Sequence, residues 1–208
     1  MLILHGAGSR KENHGDFGRA CRAAGWAALA YDQRGHGEAS DEMGPGALDD
    51  VARMARLLAA REGVDAERVC VRGSSMGGFM AVHAAAVTPA LAGVVAICPA
   101  REDDLLRGLR SGSLEMRTSE ESRAALEAWL GEHDIRQAVE LLGRKPLLLI
   151  HAEGDERIPH ENTRELYEHA LDPRKLIVLP GGHHRSAQHD AELHGLALRW
   201  LERALAGG

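Results

Sequence analysis

Short apolar runs alternate with longer stretches whose apolar positions recur every three or four residues, from one end of the chain to the other. Residues 2–5, 26–32, 68–72, 93–98, 146–151 and 175–179 are short and nearly continuous in apolar side chains, as strands covered on both faces must be. Between them the spacing predicts helices over 15–24, 47–62, 76–87, 161–171 and 187–206, with Asp172-Pro173 stopping the fourth. Strand and helix in regular alternation is the pattern of a mostly parallel sheet covered by helices on both faces, so the fold class is α/β, in one domain over residues 1–208. Residues 101–145 break the rhythm. They are rich in Arg, Glu, Ser and Leu and longer than a simple crossover needs, which makes them a candidate cap or lid insert. The plainer reading is a solvated helical excursion that only covers the sheet.

Composition narrows the function classes. There are 25 Lys and Arg against 31 Asp and Glu, a net charge of −6, and no basic block of the kind that binds a phosphate backbone, so a nucleic-acid partner is excluded as an expectation. Aromatic residues make up 3%, so the core must be built from Ala, Leu and Val. Cys21, Cys70 and Cys98 each sit in an apolar run and read as buried, reduced thiols. No apolar stretch reaches the roughly 18 residues of a membrane span, and the opening Met1-Leu2-Ile3-Leu4 is too short for a signal peptide; the expectation is a cytoplasmic, soluble protein.

The candidate chemistry begins at Gly73-Ser74-Ser75-Met76-Gly77. It follows a predicted strand and precedes a helix of small and apolar residues. A G-x-S-x-G in that setting is a nucleophile elbow: glycines two before and two after let strand and helix approach, and the serine points out at the carboxyl edge of the sheet. Ser75 is the candidate nucleophile; Ser74 is out of register, since no glycine lies two residues before it. A serine hydroxyl needs a base, and the base needs a carboxylate to fix its tautomer. Both follow in order. Asp155 lies on the loop after the strand at 146–151, with Glu153 as the alternative acid; Asp155 is favoured because it follows the glycine that turns the loop. After the last strand, Gly181-Gly182 leads into His183 and His184, two adjacent candidates that spacing cannot separate.

The first loop, His5-Gly6-Ala7-Gly8-Ser9, has little side-chain bulk. It can aim the Ala7 N–H at an acyl oxygen, with the Met76 N–H as the second oxyanion donor. The competing reading is a phosphate cradle opening on Gly6 and Gly8, with Asp32 as a ribose-binding acid, but Lys11 stands where its third glycine belongs. The intervals His184 to His189 and His189 to His194 are not helical ligand spacings and no cysteine cluster joins them, so no metal is called for.

As a set, these motifs resemble the α/β-hydrolase superfamily, in particular its serine aminopeptidase-like and esterase or monoglyceride-lipase-like branch. Leu4-His5-Gly6-Ala7-Gly8 looks like that branch's oxyanion loop, and Tyr31 to Ser40 resembles its D-x-R-G-x-G-x-S segment. Gly181-Gly182-His183-His184 resembles the ending in which the last histidine is the base, which selects His184. The resemblance implies a three-layer fold with a short helical insert and a serine hydrolase that cleaves carboxylic esters through an acyl-enzyme without a cofactor. Amide, thioester or acyl-transfer chemistry on the same residues, and a non-catalytic binding module, remain as alternatives. One departure is expected: the chain starts at the strand carrying the oxyanion loop, without the usual first two strands. The strand at 26–32 would then be an exposed edge, through which two copies could pair as a homodimer.

Overall fold

The computed structural model describes residues 1–207. Six strands, β1 (Leu2–Leu4), β2 (Leu29–Ala30), β3 (Cys70–Ser74), β4 (Gly93–Ile97), β5 (Leu147–Ala152) and β6 (Arg174–Leu179), form one sheet in the order β2-β1-β3-β4-β5-β6. Every pairing is parallel. Parallel neighbours need crossovers, and the crossovers are helices α1 (Gly15–Ala23), α2 (Ala47–Ala59), α3 (Met76–Val87), α4 (Glu102–Ser111), α5 (Glu120–Gly131), α6 (Ile135–Leu141) and α7 (His160–His169), with α8 (Ala191–Ala206) following the last strand.

Strand alternation divides the core in two. Val95, Ile97, Leu148 and Ile150 pack with Phe17 and Cys21 of α1 and Leu198 and Leu201 of α8. Val94, Ala96, Leu147 and Leu149 face the opposite way, toward α2, α3, α6 and α7. Helix α3 is wrapped by sheet and helices, and ten of its residues, Met76 to Ala85, are buried, which is why its sequence is apolar all round. The three cysteines are buried and unpaired.

Two predicted elements lose four or more residues of the sequence pattern. The edge strand shrinks from 26–32 to Leu29–Ala30 because its flanks are claimed by other partners. The N–H of Trp26 closes the α1 turn on Cys21 O at 2.9 Å, and Gln33 turns inward to His5. Helix α8 begins at Ala191 rather than 187, where the Asp190 carboxylate accepts from the N–H groups of Glu192 and Leu193 at 2.8 and 3.0 Å and so caps it. The stretch at 101–145 contains α4, α5 and α6, of which α4 lies beside the carboxyl edge of the sheet.

Candidate active site

The bend between β3 and α3 holds Ser75 at φ 55°, ψ −122°, a conformation that costs a non-glycine residue strain energy and persists only when its surroundings enforce it. They do so through the backbone. The Ser75 N–H donates to Ile97 O at 2.9 Å, while its carbonyl accepts from the N–H groups of Gly78, Phe79 and Ala100 at 2.9, 3.1 and 3.2 Å. Glycine is required on both sides. A Cβ on Gly73 would lie 1.9 Å from the Gly77 carbonyl oxygen, and one on Gly77 would lie 2.5 Å from that of His5. The hydroxyl is thereby left at the N-terminal end of α3, where the helix dipole favours negative charge.

The loop after β5 and the turn after β6 bring an acid and a base together. His184 Nδ1 lies 2.7 Å from Asp155 Oδ2, with His184 nearly buried and the carboxylate fully so. The other oxygen of Asp155 accepts from the N–H groups of Arg157 and Ile158 at 2.9 and 3.0 Å. Burial pushes this carboxyl toward its neutral form, but the hydrogen bonds from His151, His184, Ile158 and Arg157 outweigh it and hold the group well below the usual carboxylate range. Asp155 is thus an anion that fixes the proton of His184 on Nδ1 and leaves Nε2 for other chemistry. Glu153 and His183 lie on the same loops but are exposed, and His183 Nδ1 accepts only from the Arg185 N–H at 3.2 Å.

Two further groups support the acid from behind. His151, at the end of β5, places Nε2 3.2 Å from Asp155 Oδ2 and 3.0 Å from Ile158 O, while its Nδ1 meets Thr163 Oγ1 at 2.6 Å. Cys98 directly follows β4 at φ 43°, and its buried thiol, facing Asp155, is pushed up to about 12, chiefly by burial. Sequence reasoning singled out neither for this place; the signal available was a histidine and a cysteine each closing an otherwise apolar strand.

The loop after β1 lies across the elbow: a Cβ on Gly6 would touch Ser74 O and Ser75 Cβ at 3.2 Å. Among the described residues, neither the Ala7 nor the Met76 N–H is spent on an intrachain hydrogen bond, and Ala7 and Ser75 line the same cleft. Its shape is set by its neighbours. Gln33 N–H donates to His5 Nε2 at 3.0 Å and Gln33 Nε2 to His5 O at 2.6 Å. His5 is buried and its pKa drops to about 4, so it stays a neutral acceptor. Asp32 accepts from the Lys11 N–H at 2.8 Å and from Lys11 Nζ at 2.7 Å, so the candidate ribose acid instead ties down the oxyanion loop.

Beneath the site, Arg72 of β3 is fully buried. Its guanidinium reaches His14 Nδ1 at 2.9 Å and Gln188 O at 2.8 Å and lies 5.1 Å from the Phe17 ring centre. It joins three parts: the strand that leads to Ser75, the 3-10 turn Lys11–His14 after the oxyanion loop, and the loop between His184 and α8. An arginine inside an apolar strand was the visible signal, though its partners, distant in sequence, were not.

The comparisons with known proteins agree with this architecture. A sequence profile for a hydrolase family described as serine aminopeptidase, S33, matches residues 1–122. The uncharacterized protein YfhR of Escherichia coli O157:H7 is 26% identical over 172 residues, which cover 77% of this chain and 54% of YfhR. The chain spans about half the length of the curated relatives it matches. A monoacylglycerol lipase of Paleococcus ferrophilus superposes with a TM-score of 0.75 at 18% identity, over 98% of this chain and 93% of the lipase. Est1E of Butyrivibrio proteoclasticus, in a structure with ferulic acid bound, superposes at 0.79 and 19% identity, over 100% of this chain and 89% of that one. At these identities the solved structures establish the shared fold. Among the described residues, no helix is long and apolar enough to cross a membrane.

Proposed function

The chain belongs to the serine aminopeptidase S33 family of α/β hydrolases, and from that premise we propose that it cleaves carboxylic esters through an acyl-enzyme formed on Ser75. His184 Nε2 takes the Ser75 proton as the hydroxyl attacks the ester carbonyl. Asp155 holds the ring and stabilises the imidazolium. The N–H groups of Ala7 and Met76 receive the oxyanion. His184 then returns the proton to the departing alcohol, and a water molecule activated by the same ring releases the acid and restores the hydroxyl. The arrangement draws on no cofactor. Helix α4, which forms one wall of the cleft, serves as the cap.

The observation that carries this reading is the buried Asp155–His184 pair at 2.7 Å, opening into the cleft that also holds the strained serine. The monoacylglycerol lipase with the same fold supports ester rather than amide substrates. A fluorophosphonate probe should label Ser75, and short chromogenic esters should be turned over. Ser75→Ala, which adds no bulk, should fold normally and lose on the order of a million-fold in turnover. Ester hydrolysis that survives in the folded Ser75→Ala protein would overturn the proposal. Faster cleavage of aminoacyl amides than of matched esters would move the substrate class to peptides.

A further inference from the structure

Ser75 stands where two lobes of the cleft meet. The larger, about 610 Å³, runs under α4 and sets Arg107, Arg157 and Arg185 against Asp104 and Glu115. The smaller, about 300 Å³, runs over the 3-10 turn and the base loop, and its ionisable side chains are Arg157, Arg185, His184 and His189, with no carboxylate in its lining. Arg157 and Arg185 border both lobes beside the serine.

A chain with a net charge of −6 has more acidic than basic side chains to place, yet the smaller lobe receives only basic ones. The nearby carboxylates are already engaged: Asp155 is fully buried beneath His184, and Asp16 accepts from His189 Nδ1 at 2.8 Å and from the Phe17 N–H at 2.7 Å. The Arg157 guanidinium reaches only the exposed Glu156, at 3.8 Å, and Arg185 forms no ion pair among the described residues. The N-terminus of α3 adds its positive end to the same space. Guanidinium groups bind a carboxylate through paired, charge-assisted hydrogen bonds, and the side chains of Arg157 and Arg185 are both exposed at the rim of the lobe.

We propose, building on the ester-hydrolase reading, that the substrate carries a carboxylate, which lodges in the smaller lobe against Arg157 and Arg185 while the scissile carbonyl lies over Ser75. The protein is therefore selective for half-esters or for esters of carboxylate-bearing alcohols over their neutral counterparts.

Two matched pairs test this: 4-nitrophenyl hemisuccinate against 4-nitrophenyl butyrate places the charge on the acyl part, and the acetates of 4-hydroxybenzoate and 4-hydroxybenzamide place it on the alcohol part. In one pair the anionic member should be preferred by about tenfold in kcat/KM at low salt, with the difference in KM, and 0.5 M NaCl should shrink the preference. The Arg157→Gln/Arg185→Gln double variant should reduce that ratio by about tenfold. Equal or better use of the neutral member in both pairs, or a ratio the double variant leaves unchanged, would overturn the inference. Its failure is separable from that of the parent reading: Ser75-dependent turnover of neutral esters would leave the hydrolase standing with its anion preference refuted.

Discussion

Glycine at 73 and 77 is a steric necessity that can be tested one carbon at a time. Gly73→Ala would place a methyl group 1.9 Å from the Gly77 oxygen, so strand and helix must part. The expected result is a loss of about 1–3 kcal/mol in urea unfolding together with loss of turnover, because the same displacement moves Ser75. Gly18, inside α1, has nothing within 4 Å of the added carbon. Gly18→Ala should therefore stabilise by about 0.5–1 kcal/mol and leave kcat within twofold, as helix propensity alone predicts. Asp155 makes the complementary electrostatic case. Its carboxylate accepts from two ring nitrogens and two backbone N–H groups, and Asp155→Asn would turn an amide donor toward one of them. Steady-state kinetics should show a fall of about 10⁴ in kcat in a protein whose fold is retained. Turnover within tenfold of wild type would show that His184 does not depend on this carboxylate.

Elements explain both what the sequence revealed and what it hid. Six strands, the bend at Ser75 and the loops that carry Asp155 and His184 were legible because each is a local pattern: an apolar run, a spacing of glycines, a loop at a strand end. The resemblance chose His184 over His183, and the 2.7 Å contact with Asp155 gives that choice its geometry. The length of β2 was hidden, because it depends on Trp26 and Gln33 finding partners at Cys21 and His5, which no local window contains. With two residues at the edge, β2 also offers a partner strand little backbone to pair with. The role of Arg72 was hidden for the same reason, its partners lying 58 and 116 residues away. Arg72→Met keeps volume but removes both donors, leaving the His14 ring nitrogen unsatisfied and the Gln188 carbonyl held by His194 Nε2 alone, at 2.9 Å. A loss of about 1–3 kcal/mol in denaturant unfolding is expected. Because Gln188 lies on the loop that carries His184, kcat should fall in the folded fraction as well. An unfolding midpoint unchanged by the substitution would show that the three segments are held together without it.

On the scale of the whole molecule, five buried histidines, His5, His14, His36, His83 and His194, tie folding to pH. Burial is the main cause in each: it lowers His5 to about 4, and His14 and His83 to about 3, with the charge of Arg72 adding to the shift at His14 and the neighbouring His133 to that at His83. A histidine in the unfolded chain takes its proton near pH 6.5. Between that value and about 4, the unfolded chain therefore binds protons that the native state refuses, and stability falls as pH falls. The contribution is complete above about 6.5. Each histidine adds at most about 1.4 kcal/mol per pH unit to the slope. Asp32, lowered to about 2, and Asp155, lower still, act below about 4, where the carboxylates of the unfolded chain take up protons first, so the two sets of groups overlap only between about 4 and 3. Urea unfolding measured from pH 8 down to 4.5 should show this histidine limb. His83 offers the variant that isolates it, since the ring packs 4.3 Å from the Phe79 ring centre and its Nε2 has no partner to lose. His83→Leu should reduce the slope of the acid limb by about a fifth to a third, since its ring is one of five that take up a proton on unfolding. An unchanged slope in that variant would show that the proton uptake comes from elsewhere, and the buried rings would have no part in the acid lability of the fold.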